Sequence, residues 1–179
     1  MLTIVIPKGE QYDAINNRFY YTKEQKIVLE HSLVSISKWE SKWHVPYLSR
    51  EEKTYEQTLD YIKCMTLTQN VDDSVYRSLS RENINDIAKY IENPMTATWF
   101  RDNNQPGSRE ILTSEVIYYY MIVLQIPFEC QKWHLNRLFT LIRVCNEKNK
   151  PSKKMTQQEL LAKQAQLNAA RRAKLNSKG

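Results

Sequence analysis

The chain has 179 residues, 41% of them hydrophobic and 26% charged, which suits one soluble globular domain of ordinary size and leaves room for a real core. Its only glycines, Gly9, Gly107 and Gly179, are too few for phosphate-cradling loops or a dinucleotide fold, and they disfavour an all-β architecture with many tight turns. The net charge of +6 is a property of one end: residues 146 to 179 carry nine Lys or Arg against Glu147 and Glu159, and the preceding body is close to neutral.

From the N-terminus, the short β-branched run Thr3 to Ile6 predicts a strand closed by Pro7. Residues 25 to 33 alternate in period two, with Ile27, Leu29 and Leu33 on one side and Val28, Glu30 and Ser32 on the other. These two segments predict a hairpin or small sheet connected through residues 8 to 18. Beyond His31 the spacing of Ile36, Trp39 and Trp43 becomes helical, and Pro46 ends the segment. Thr54 and Gln57 stand at capping-box spacing before a stripe of Tyr55, Leu59, Ile62, Cys64 and Met65.

Ser80 is placed to cap a helix that stops before Pro94 and presents Ile84, Ile87, Ala88 and Ile91. The stretch "RDNNQPGSRE", residues 101 to 110, predicts a turn. Ser114 then caps a helix to about Gln125, Pro127 interrupts it, and a longer helix follows from about Phe128 to Asn146. A polar, proline-bearing linker over 147–155 leads to a basic helical arm at 156–179, opened by Thr156 and Glu159 at capping-box spacing. The fold class expected is mainly α (α+β): a small N-terminal β element packed on a helical domain spanning 1–146, with a basic C-terminal helix.

Cys64, Cys130 and Cys145 are odd in number and form no C-x-x-C pair, so reduced, buried thiols in an intracellular protein are expected. The N-terminus lacks the basic leader of a signal peptide, and the longest apolar run, Val116 to Leu124, falls short of the roughly 20 residues a membrane span needs. Cys130 and His134 stand four apart, so one helix would bring thiol and imidazole together as nucleophile and base. Their helical neighbours Ile126, Phe128, Leu138 and Leu141 are apolar and no orienting third group is in sight, so packing is the favoured reading. His31, His44, Cys64 and Cys145 show no zinc-ligand spacing, and neither a metal nor a cofactor is expected.

Trp39 and Trp43, interleaved with Lys38 and Lys42, suit either a base-stacking platform or a buried face; burial is favoured, with Trp99 and Trp133 closing the same aromatic core. Tyr118, Tyr119 and Tyr120 point around a helix that is apolar nearly everywhere, which fits a central core helix or one covered by a partner. In the arm, Leu160, Leu161, Leu167 and Leu175 are candidate anchors for another protein, with Arg171 and Arg172 beside them. Phosphate binding by the same cations is the competing reading.

Four stretches, "LEHSLVSISKWESKW", "DYIKCMTLTQNV", "NPMTATWF" and "IPFECQKWHLNRLFTLIRVCN", together with the closing "NAARRAKLNSKG", resemble a family of small proteins encoded among the tail-morphogenesis genes of tailed bacteriophages, described as tail assembly chaperones. The resemblance implies a non-enzymatic protein of the host cytoplasm, without catalytic residues, that binds tape-measure or tail-tube protein and keeps extended apolar surfaces from aggregating. Self-association is compatible with it. The alternatives are a structural protein retained in the virion through its C-terminal arm, and a nucleic-acid-binding module using the tail with Trp39 and Trp43.

Overall fold

A computed structural model describes residues 1–13, 17–100, 111–150 and 156–175, with backbone alone at 11–13, 18 and 20–22. The turn expected at 101–110 and the proline-bearing part of the linker, 151–155, lie outside the described residues. The chain divides into two compact units, Met1–Asn146 and Glu147–Gly179.

The first unit begins with an antiparallel ribbon. Strand β1 (Leu2–Ile6) pairs with β4 (Gln25–Leu29), and β2 (Gly9–Asp13) pairs with β3 (Arg18–Thr22). Both ladders keep one register, Leu2 opposite Leu29 and Gly9 opposite Thr22, so they are two halves of a single long hairpin. The break falls at Pro7 and Lys8, where proline has no N–H to give to a ladder. The stretch expected as a simple connection, 8 to 18, therefore carries pairing strands itself. Alternation decides the buried face: Ile4, Ile6, Ile27 and Leu29 point into the core while Val5 is exposed.

Helix α1 (Leu33–Trp43) starts where the Ser32 side chain accepts the Ser35 N–H, and stops at His44 in the left-handed region. Helix α2 (Tyr55–Met65) opens with the reciprocal capping box of Thr54 and Gln57. Its buried arc is Asp60, Tyr61, Ile62 and Met65. Of the predicted stripe, Ile62 and Met65 are buried and Leu59 and Cys64 sit half-buried against the core, but Tyr55 is exposed and Asp60 and Tyr61 are buried instead. The polar Asp60 can face inward because the Trp43 indole and Lys42 both donate to its carboxylate.

A short helix α3 (Asp73–Arg77) buries Val75 and Tyr76. Helix α4 (Arg81–Glu92) is capped by Ser80 with Asn83 and buries Ile87 and Tyr90; Ala88, expected on that face, is exposed. Helix α5 (Ser114–Val123) is capped by Thr113 rather than Ser114, whose side chain is fully buried.

The long helix expected from Phe128 to Asn146 is two elements. A 3-10 helix covers Phe128–Lys132, Trp133 is extended, and helix α6 runs from Leu135 to Asn149. The break occurs because residues 134 and 135 bond elsewhere: His134 bridges Ser32, and the Leu135 N–H donates to the His31 carbonyl at 2.8 Å. The first residues assigned to the linker, Glu147 to Asn149, continue α6. The core of this unit joins the ribbon, α1, α2 and parts of α3 to α6 around Trp39, Leu33, Met65, Ile117, Met121 and Leu138.

The second unit holds helix α7 (Gln157–Leu175), none of whose residues is buried. Its start is closed reciprocally: the Thr156 N–H donates to Glu159 Oε2 at 2.9 Å and the Glu159 N–H to Thr156 Oγ1 at 3.3 Å. The molecule is mostly helical with a small N-terminal antiparallel β element packed on helices.

Candidate functional site

The break between the 3-10 helix and α6 puts Cys130 and His134 off a common helix, so the four-residue helical spacing does not apply to them. Cys130 lies buried in the 3-10 helix, and burial pushes its thiol up, which keeps the protonated, unreactive form. Of the other two thiols, expected to be buried, Cys64 and Cys145 are only half-buried.

His134 belongs to a different group. Its Nε2 lies 3.0 Å from the Tyr90 carbonyl, and the Asn136 N–H donates to its Nδ1 at 3.3 Å. A ring that accepts at Nδ1 and donates from Nε2 is neutral. Its edge meets the ring of His31 at 5.1 Å between centroids. His31 Nδ1 is 2.5 Å from the Tyr61 hydroxyl, and Tyr61 stacks on Tyr47 at 3.9 Å. Next along the chain, Glu30 accepts the Tyr90 hydroxyl at 2.6 Å and pairs with the Met1 ammonium at 3.1 Å. Burial lowers both imidazoles, His31 to about 4 with the facing His134 adding to the effect.

The contacts of this polar joint are all within the fold. His31 and His134 contact each other, tyrosines and backbone, and Glu30 is engaged with Tyr90 and Met1. Among the described residues, no group of three or more His, Cys, Asp or Glu is arranged to hold a metal ion.

Trp39 is fully buried, donates from its indole to the Gln57 carbonyl at 2.9 Å and stacks on half-buried Trp43 at 6.2 Å, so no base can reach its face. Trp133 is half-buried under the Arg137 guanidinium at 4.1 Å. Trp99, expected in the aromatic core, is instead 79% exposed, because it follows the end of α4 in an irregular segment rather than on a packed helix face.

The three tyrosines diverge around α5. Tyr118 and Tyr120 are half-buried, with the Tyr118 hydroxyl donating to Gln131 at 2.8 Å, and Tyr119 is 60% exposed. On the inner side Ile117 and Met121 are fully buried. On the outer side Tyr119, Ile122 and Val123 face solvent, and Phe128 just beyond them is exposed as well. In α7, Leu160, Leu161, Leu167 and Leu175 are all more than half exposed, and Arg171 and Arg172 are exposed too.

Sequence reasoning missed Glu30, His31, Glu40, Asp60, Tyr61 and Tyr90, the buried polar residues that join elements. Glu40 accepts the backbone N–H groups of Tyr47 and Ser114, both at 2.8 Å, and so ties the start of α5 to α1. Nothing in a periodic pattern marks such residues, because their burial depends on partners remote in sequence. No helix among the described residues is long and apolar enough to cross a membrane. Compared with protein-family models, curated proteins and solved structures, the chain finds no match.

Proposed function

We propose that this protein is a non-enzymatic assembly factor of a bacteriophage tail, acting in the host cytoplasm as a chaperone for tape-measure or tail-tube protein. The observation that carries the protein-binding part is the outer side of α5: Tyr119, Ile122 and Val123 are each more than half exposed on a helix whose inner side is core. An apolar helix face left in water, on an element already anchored by Glu40 and Thr113, suits a surface that an apolar partner covers. The identity of the partner rests on the resemblance of the four sequence stretches and the tail to the phage family.

The test is association of the purified full chain with the tape-measure protein of its own phage. Binding at micromolar concentrations is expected, with at least a tenfold loss for a variant carrying Ile122→Ser and Val123→Ser. Absence of association by a folded wild-type chain overturns the reading.

A second reading, a virion protein held by its C-terminal arm, is favoured by α7, which exposes four leucines and four Lys or Arg residues along its length. Mass spectrometry of purified particles separates the two, since a chaperone is lost from mature virions and an anchored protein is retained. Steeply salt-dependent binding to nucleic acid would instead support the tail as a phosphate-binding segment.

A further inference from the structure

Three pieces of chain remote in sequence meet at the two facing histidines. The β4–α1 junction supplies Glu30, His31 and Ser32; the entrance to α6 supplies His134, Leu135 and Asn136; and α4 supplies Tyr90. They are joined by backbone as well as side chains: Leu135 N–H to the His31 carbonyl, the Ser32–His134 bridge, and the Asn136 side chain donating to the Ile91 carbonyl at 3.0 Å and the Asn93 carbonyl at 2.9 Å. We propose that this joint is an acid-released latch, in which proton uptake by His31 and His134 frees α4 and the start of α6 from the β4–α1 junction.

The groups around the rings leave no room for a second charge. His31 faces the Tyr61 hydroxyl from α2, the Tyr47 ring from the segment after α1, and His134 itself. His134 faces the Tyr90 ring and carbonyl from α4 and the Asn136 N–H from α6. The nearby carboxylate, Glu30, favours charge on His134, but it already serves the Tyr90 hydroxyl and the Met1 ammonium, and that ammonium opposes it. A proton on His134 Nδ1 would set two donors against each other, because the Asn136 N–H occupies that position. A proton on His31 as well would place two imidazolium rings 5.1 Å apart inside the core.

The direction follows from linkage. Both histidines titrate lower in the folded chain than the ordinary imidazole value of 6.5, so the folded state binds fewer protons than the opened one. The latch is therefore fully closed above pH 6.5 and weakens as pH falls from there to about 4, the folded value for His31. Freed helices would expose Ile87, Leu135 and Leu138, apolar residues now in the core.

The experiment uses the full chain, with histidine ring resonances and amide-exchange protection factors followed by NMR from pH 7.5 to 4. Both buried histidines are expected to titrate below the ordinary range. Amides of α4 and the first turns of α6 are expected to lose at least about tenfold protection by pH 4.5, before those of α1 and α2 do. Histidines that titrate near 6.5 in the folded chain overturn the latch, as does loss of protection that is uniform across all helices. His134→Gln keeps a donor for the Tyr90 carbonyl and removes one of the two titrations, so it should reduce the α4 response between pH 7 and 4.5, and the part that remains should follow the His31 resonance. If Glu30→Gln reduces it and His134→Gln does not, the carboxylate is the sensor and the proposal fails. Should His134→Gln not fold, the wild-type titration decides alone.

Discussion

Glu40 illustrates how much a single side chain can decide. It is 8% exposed, and its two oxygens accept one N–H each from Tyr47 and Ser114, residues 7 and 74 positions away in the chain. Glu40→Ala strands two backbone donors in a desolvated place and should lower stability by about 2–4 kcal/mol in urea unfolding, with Glu40→Gln losing less. A loss under about 0.5 kcal/mol for the alanine variant would show that water replaces the carboxylate freely. Cys130 is a different case, a buried thiol that packs without polar duty. Cys130→Ala should cost about 1–3 kcal/mol as a truncation while partner binding by the folded fraction stays intact. Failure to bind by a stable Cys130→Ala protein would restore a functional role to the thiol. Cys130 is buried as expected, although not on the single helix that would have made Phe128, Leu138 and Leu141 its neighbours. That Glu40 is buried was not legible, since a glutamate on a helix reads as solvated until its remote partners are known.

Three helix starts were the most readable features, because a cap joins residues two or three apart, whereas the start of α5 lies one residue earlier than expected and that of α6 seven later. Thr54 with Gln57, Ser80 with Asn83 and Thr156 with Glu159 all close as local chemistry dictates. Thr54→Ala should therefore cost about 1 kcal/mol, measurable as a shift in thermal or urea midpoint. Helix ends and faces were less readable. The segment 128–149 has continuous helical periodicity, yet it breaks at Trp133 because Leu135 and His134 find partners on the β4–α1 junction. In α2, the polar Asp60 turns inward and shifts the buried arc away from Tyr55. The outer face of α5 makes the opposite prediction from a core face. Ile122→Ser with Val123→Ser should leave the thermal midpoint nearly unchanged, since both are more than half exposed, and should act on binding alone. A large fall in midpoint would place these residues in an interior contact instead.

At the scale of the whole molecule, every described residue of the hydrophobic core lies within Met1–Asn146, and α7 has no buried residue. A chain ending at Asn149 should keep the near-UV spectrum and thermal midpoint of the full protein, and a peptide of residues 156–179 should be only weakly helical in water. Cooperative loss of the body's fold on removing α7 would contradict this. The sequence by itself determined the mainly helical class, the N-terminal β element, the capped starts of α2, α4 and α7 and the placement of charge at one end, because propensity, capping and periodicity act over a few residues. Only the tertiary structure decided that the hairpin runs on through two ladders in one register. It alone split the 128–149 segment, took Cys130 and His134 off a common helix and set His134 against His31. The physical reason is common to all three: a backbone N–H or an ionisable ring is satisfied by whichever partner the fold brings near, and neither composition nor spacing names that partner in advance.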